Sequence, residues 1–175
     1  MTRTRTAKDT APSRHRMLGI YLNDHLAGAT AGTELAHRMA RSHQNRELEE
    51  TGDLQRLAVE ISQDRATLLD IMAALGVAVR GYKVGAAWIG ERAGRLKFNG
   101  HLLTRSPVSD LEELEMLRLG AEGKAAGWRT LRTLADTDAR LDAARLDELI
   151  SRARGQADRL EELRVRASRQ ILSPN

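Results

Sequence analysis

The sequence predicts an all-α protein: an antiparallel four-helix bundle of two hairpins, with a long, partly helical crossover between helices 2 and 3. Two observations predict it. Apolar residues recur at spacings of three and four in four separate stretches, the period of a helix with one buried face, and no stretch shows the alternation of a half-buried strand. The links between the stretches run short, long, short, and short links between helices make antiparallel hairpins.

The first stretch, from about Arg16 to Ser42, places Leu18, Tyr21, Leu22, His25, Ala29, Gly32, Leu35, Ala36 and Met39 on one face. The second, from about Asp53 to Leu75, carries Leu54, Leu57, Ile61, Leu68, Ile71, Met72 and Leu75 and stops at Gly76. The third opens at Pro107, where Ser109-Asp-Leu-Glu112 fits a capping box. Its stripe is Leu111, Leu114, Leu117, Ala121, Ala125, Trp128, Leu131 and Leu134. The fourth starts at Asp142, a good N-cap, and carries Leu146, Leu149, Ala153, Ala157, Leu160, Leu163 and Ala167 before Pro174. Residues 76–108 form the long link, and a structureless loop of that length is foreign to a compact domain. A short helix around Gly85–Leu96, packed on one side or end of the bundle, is therefore expected. The organisation reads as a disordered basic tail (1–16), a bundle (17–172) with its crossover at 76–108, and a short tail (173–175).

At 175 residues the chain suits a single domain with a real core. Aromatic residues make up 3%, so that core is built from Leu, Ala, Ile, Val and Met. No cysteine is present, which excludes disulfides, thiolate zinc sites, iron–sulfur clusters and a cysteine nucleophile. The net +4 and the pI near 9.9 come from two places. The tail carries Arg3, Arg5, Lys8, Arg14 and Arg16 against Asp9. The stretch 80–105 carries Arg80, Lys83, Arg92, Arg95, Lys97 and Arg105 against Glu91. The helical remainder is acidic. No run reaches the roughly 18 apolar residues of a membrane span, and the start has no hydrophobic signal segment. A cytoplasmic protein is expected.

This helix pattern, the crossover, and the runs Tyr21-Leu-Asn-Asp-His-Leu-Ala-Gly-Ala and Leu119-Gly-Ala-Glu-Gly-Lys resemble uncharacterised actinobacterial members of the ferritin-like superfamily over residues 17–172. The resemblance implies that fold. In diiron members it also implies a Glu on each of two helices and Glu-x-x-His on each of the other two. One such motif exists here, Glu34-Leu-Ala-His37. The second helix offers Glu60 and Asp64, the third Glu115 and Glu122, and the fourth Glu148, Asp158 and Glu161, with no histidine on any of the three. The ligand set is incomplete.

The polar residues nearest the inner stripes are Tyr21, His25, Glu60, Asp64, Glu115, Glu122 and Gln156. One reading is a satisfied polar layer, with His25 bonded to an acid and Glu60 and Asp64 paired with arginines such as Arg118 or Arg129, because a buried charge needs a partner. The other is a metal pocket of His25, Glu60, Asp64 and Glu122 holding iron or manganese. Gly28 and Gly32 share one face of helix 1, and Gly120, Gly123 and Gly127 one face of helix 3; close helix approach is the expected reason. Gly120-Ala-Glu-Gly-Lys124 is not a phosphate loop, since its glycines are too close and Ala125 stands where a Ser or Thr would hold magnesium. No Gly-x-Ser-x-Gly elbow is present.

The expectation is a non-enzymatic interaction or structural protein that needs no cofactor. The alternative is a metal-binding oxidoreductase. Arg92, Arg95, Lys97 and Arg105 interleaved with Trp88 and Phe98 could stack and neutralise nucleic acid. The acidic helices offer those cations intramolecular partners, so a homo-oligomer or protein partner is expected rather than nucleic acid.

Overall fold

The computed structural model describes residues 13–42, 48–80 and 107–173. Four helices make up the described chain: α1 (Arg14–Ser42), α2 (Leu48–Ala74), α3 (Pro107–Ala135) and α4 (Ala143–Leu172). The expected helix at Gly85–Leu96 and most of the basic tail lie outside the described residues.

The ends follow local chemistry. Ser13 caps α1, its Oγ accepting from the Arg16 N–H at 3.3 Å, so the helix takes in residues 14–16, which the sequence reading gave to the tail. α2 starts at Leu48, five residues before Asp53, and Asp53 instead pairs with Arg56 at 2.5 Å. Its C-terminus is a Schellman turn: Gly76 takes φ +68°, its N–H meets the Ala73 carbonyl, and the Val77 N–H meets that of Met72. α3 begins on Pro107 itself, whose missing N–H is harmless at the first helical position, so Ser109 lies inside the first turn rather than at the position before it. α4 starts as read, with the Asp142 carboxylate accepting from the Arg145 N–H at 3.1 Å.

α1 packs on α2, and α3 on α4; across the hairpins α1 meets α3, and α2 meets α4. Tyr21 bonds Thr130 near one end of α1, and Arg38 pairs with Glu113 near the other, so α1 and α3 are antiparallel. Glu60–Arg159 and Asp53–Arg166 show the same for α2 and α4. It follows that α2 and α3, on the diagonal, run in the same direction. The chain leaving α2 must therefore travel back along the bundle before α3 begins, about 40 Å for helices of this length. The long link is a geometric requirement of this topology.

The predicted stripes are the core. It divides into two apolar clusters. One contains Leu22, Leu26, Leu68, Met72, Leu75, Trp128, Leu131, Leu146 and Leu149; the other contains Ala36, Met39, Leu54, Leu57, Ile61, Leu114, Leu117, Leu160 and Leu163.

Replacing Asp142 with Ala removes the α4 cap and should cost about 1 kcal/mol, lowering the melting temperature by roughly 2–4 °C. A calorimetric scan of the variant beside the parent measures it; an unchanged midpoint would show that the Arg145 N–H is equally well served by water.

Candidate functional site

Between the two clusters each helix contributes one inward polar residue. These are Thr30 from α1, Asp64 from α2 and Gln156 from α4, all buried, and Lys124 from α3, which is partly buried. The spacing explains why. Asp64 follows Leu57 and Ile61 and precedes Leu68. Lys124 lies three residues after Ala121 and four before Trp128, and Gln156 lies three after Ala153 and four before Leu160. Each occupies a core position of its own helix.

Asp64 is 2% exposed and Gln156 is 0% exposed. The Lys124 ammonium reaches across the diagonal to Asp64 Oδ2 at 2.5 Å and also donates to Gln156 Oε1. Arg152 donates to Asp64 Oδ1, and Gln156 Nε2 donates to Asp64 Oδ2 at 3.1 Å and to Glu60 Oε2 at 3.0 Å. Glu60 in turn receives a two-pronged contact from Arg159, with Nη1 at 3.0 Å from Oε1 and Nη2 on Oε2. Thr30 donates to the Leu26 carbonyl at 2.9 Å and accepts from Arg65 Nε at 2.8 Å. Two carboxylates, three cations and an amide thus form one connected network running from the bundle axis to the α2/α4 surface.

The electrostatics follow from that placement. Burial pulls the Lys124 ammonium below the ordinary lysine value, opposed by the charge and hydrogen bond of Asp64. Burial pushes Glu60 up, but the hydrogen bonds from Arg159 and Gln156 and the charges of Arg159 and Arg152 outweigh it, leaving Glu60 below the usual carboxylate range. Such a layer holds charge apart from water only while every member is present.

The four residues read as a metal pocket are not brought together. Glu60 and Asp64 share the layer. His25 sits on the α1 seam facing α3, edge-on to Tyr21 with ring centroids 4.5 Å apart, and against Gly127, where an added Cβ would lie 3.0 Å from the ring. It is half-buried, as its place on the stripe predicts, and its pairing is aromatic rather than with an α2 acid. Glu122 is exposed, because two residues of helix turn it away from Lys124 by about 200°. Arg118 pairs with Glu161 at 3.0 Å, and Arg129 is exposed, so neither partners the layer acids. His37 meets Ser62 at 2.9 Å. An open surface depression of about 330 Å³ between α3 and α4, lined by Glu115, Arg118, Leu119, Glu161 and Arg164, is a separate feature made of ion-paired side chains.

The glycine expectation is corrected in part. Gly127 does allow a close approach, that of His25. At Gly28, Gly32, Gly120 and Gly123 an added Cβ would meet nothing within 4 Å among the described residues.

A metal fits this layer poorly. Among the described residues no three His, Asp or Glu side chains stand close enough to hold an ion. The Lys124 ammonium and the arginines take the oxygen atoms of Asp64 and Glu60 that a cation would need. Compared with protein-family models, curated proteins and solved structures, the chain matches none.

Burial also holds the His25 imidazole below its ordinary value of 6.5, with the nearby Asp24 charge opposing. Below pH 6.5 the unfolded chain takes up a proton that the folded one resists, so folding stability should fall as the pH drops from 7 toward 5. Urea unfolding across that range should show the decline in the parent and a flatter profile in His25→Gln. Equal slopes in the two proteins would contradict the assignment.

Proposed function

We propose that the protein is a non-enzymatic structural or interaction protein on a ferritin-like four-helix body, acting in the cytoplasm. In this reading its interior polar layer is held by the chain's own cations. The observation that carries it is the Lys124 ammonium, bonded to Asp64 and Gln156 at the bundle axis. A divalent ion at that point would have to displace a tethered charge that already neutralises the central carboxylate. The ferritin-like reading is supported by two antiparallel hairpins with α2 and α3 parallel, which require a long return between them. No described helix is long and apolar enough to cross a membrane.

The alternative, a metal-binding oxidoreductase, draws on one feature: Glu60 and Asp64 lie one helical turn apart and converge on Gln156. Elemental analysis of protein purified without a histidine tag separates the two. The proposal expects iron and manganese well below one ion per chain, unchanged after incubation with ferrous iron and desalting. Stoichiometric retained metal would establish the alternative.

A further inference from the structure

His25 closes the seam between α1 and α3 by sitting over a notch in α3. A Cβ at Gly127 would lie 3.0 Å from the His25 Cε1 and Nδ1 atoms and 3.4 Å from Nε2. The edge of the ring that carries both nitrogens is therefore the one turned against α3. Gly127 itself is buried, and Tyr21 meets the ring edge-on, with centroids 4.5 Å apart. One turn away the Tyr21 hydroxyl donates to Thr130 Oγ1 at 3.0 Å, so the same two α1 residues carry the seam at this level.

This seat suits a neutral ring and not a charged one. An imidazolium has two N–H donors, and a buried donor without an acceptor is costly. Among the described residues neither His25 nitrogen is hydrogen-bonded. Burial holds the ring below 6.5, and the charge that opposes it is Asp24, exposed on the same helix. The other ionisable groups near this level are engaged or turned away. Lys124 of α3 is bonded to Asp64, and Arg129 is exposed. Counted from the Thr30–Arg65 and His37–Ser62 contacts, His25 falls at the level of Asp70 on α2, which is exposed. Arg80, whose N–H bonds Asn23, is exposed as well. A protonated ring gains solvation by rotating out of the seam, toward water and Asp24.

We propose that His25 and Gly127 form a proton-operated latch between α1 and α3: the neutral ring sits in the notch and holds the seam shut, and the protonated ring leaves it and the Tyr21–Thr130 contact opens. The chain has no cysteine, so pairs of nitroxides on introduced cysteines at exposed or partly exposed sites read each seam separately. Ile20→Cys with Thr133→Cys spans α1 and α3, and Ala66→Cys with Ser151→Cys spans α2 and α4. Pulsed dipolar distances are taken at pH 7 and at about pH 5, either side of the ordinary histidine value. At the lower pH the α1–α3 pair should lose its short-distance population while the α2–α4 pair keeps its own. In His25→Gln the short α1–α3 distance should hold at both pH values. Gly127→Ala, whose methyl fills the notch, should show the long distance already at pH 7, and adding His25→Ala should restore the short one. An α1–α3 distance indifferent to pH overturns the proposal, and so does a response that survives His25→Gln or a widening of both seams together. Failure of the paired His25→Ala and Gly127→Ala changes to recover the short distance overturns it too, since the notch would then serve something other than the ring.

Discussion

The Asp64 carboxylate is buried at the centre of a helical bundle, and much of the fold is arranged so that this is tolerable. Three donors from two other helices converge on it: Lys124 from α3, and Arg152 and Gln156 from α4. An isolated carboxylate in such a place would cost many kcal/mol, and paired it costs far less, provided its hydrogen bonds are complete. Gln156 makes the pairing possible, since its amide accepts from Lys124 on one side and donates to both acids on the other. Glu60 and Arg159 then carry the network out toward water.

An apolar bundle whose core is mostly Leu and Ala can pack in several registers at similar cost, because those side chains are interchangeable in shape. A charged layer is not interchangeable. The Asp64–Lys124 contact joins diagonal helices and holds only with these residues at one level. Shifting either helix by a turn would set one charge against Leu68, Ala121 or Trp128. In this protein the layer therefore selects the register. The parallel run of α2 and α3 places the end of one and the start of the other at opposite ends of the bundle.

The helices and their buried faces were legible because burial on a cylinder imposes a period near 3.6. Leu114, Leu117, Trp128, Leu131, Leu146, Leu149, Leu160 and Leu163 all lie inside as the pattern requires. The Asp142 cap was legible because its signal is local, whereas Ser109 misled: Pro107 two residues earlier could itself begin the helix. Glu60, Asp64 and Gln156 were recognisable as inward polar residues; their partners were not. Whether Asp64 meets Arg152 or Arg129 depends on how α2 sits against α3 and α4, which is a product of packing. Lys124 was passed over because lysines are rarely buried, yet its spacing from Ala121 and Trp128 marks a core position. Glu122 looked equally near the stripe and is rotated to the opposite side. His25 was placed at the right depth, but its partners are the Tyr21 ring and Gly127 of α3 rather than an acid, since one residue of phase decides which neighbour α1 presents it to.

The central claim is that Asp64 and Lys124 form one energetic unit that specifies the bundle. A double-mutant cycle in urea tests it, using Asp64→Leu, Lys124→Leu and the variant carrying both. Each single change strands a buried partner and should cost about 3–5 kcal/mol, while the double variant should lose far less than the sum. Additive losses, or single variants as stable as the parent, would contradict the account.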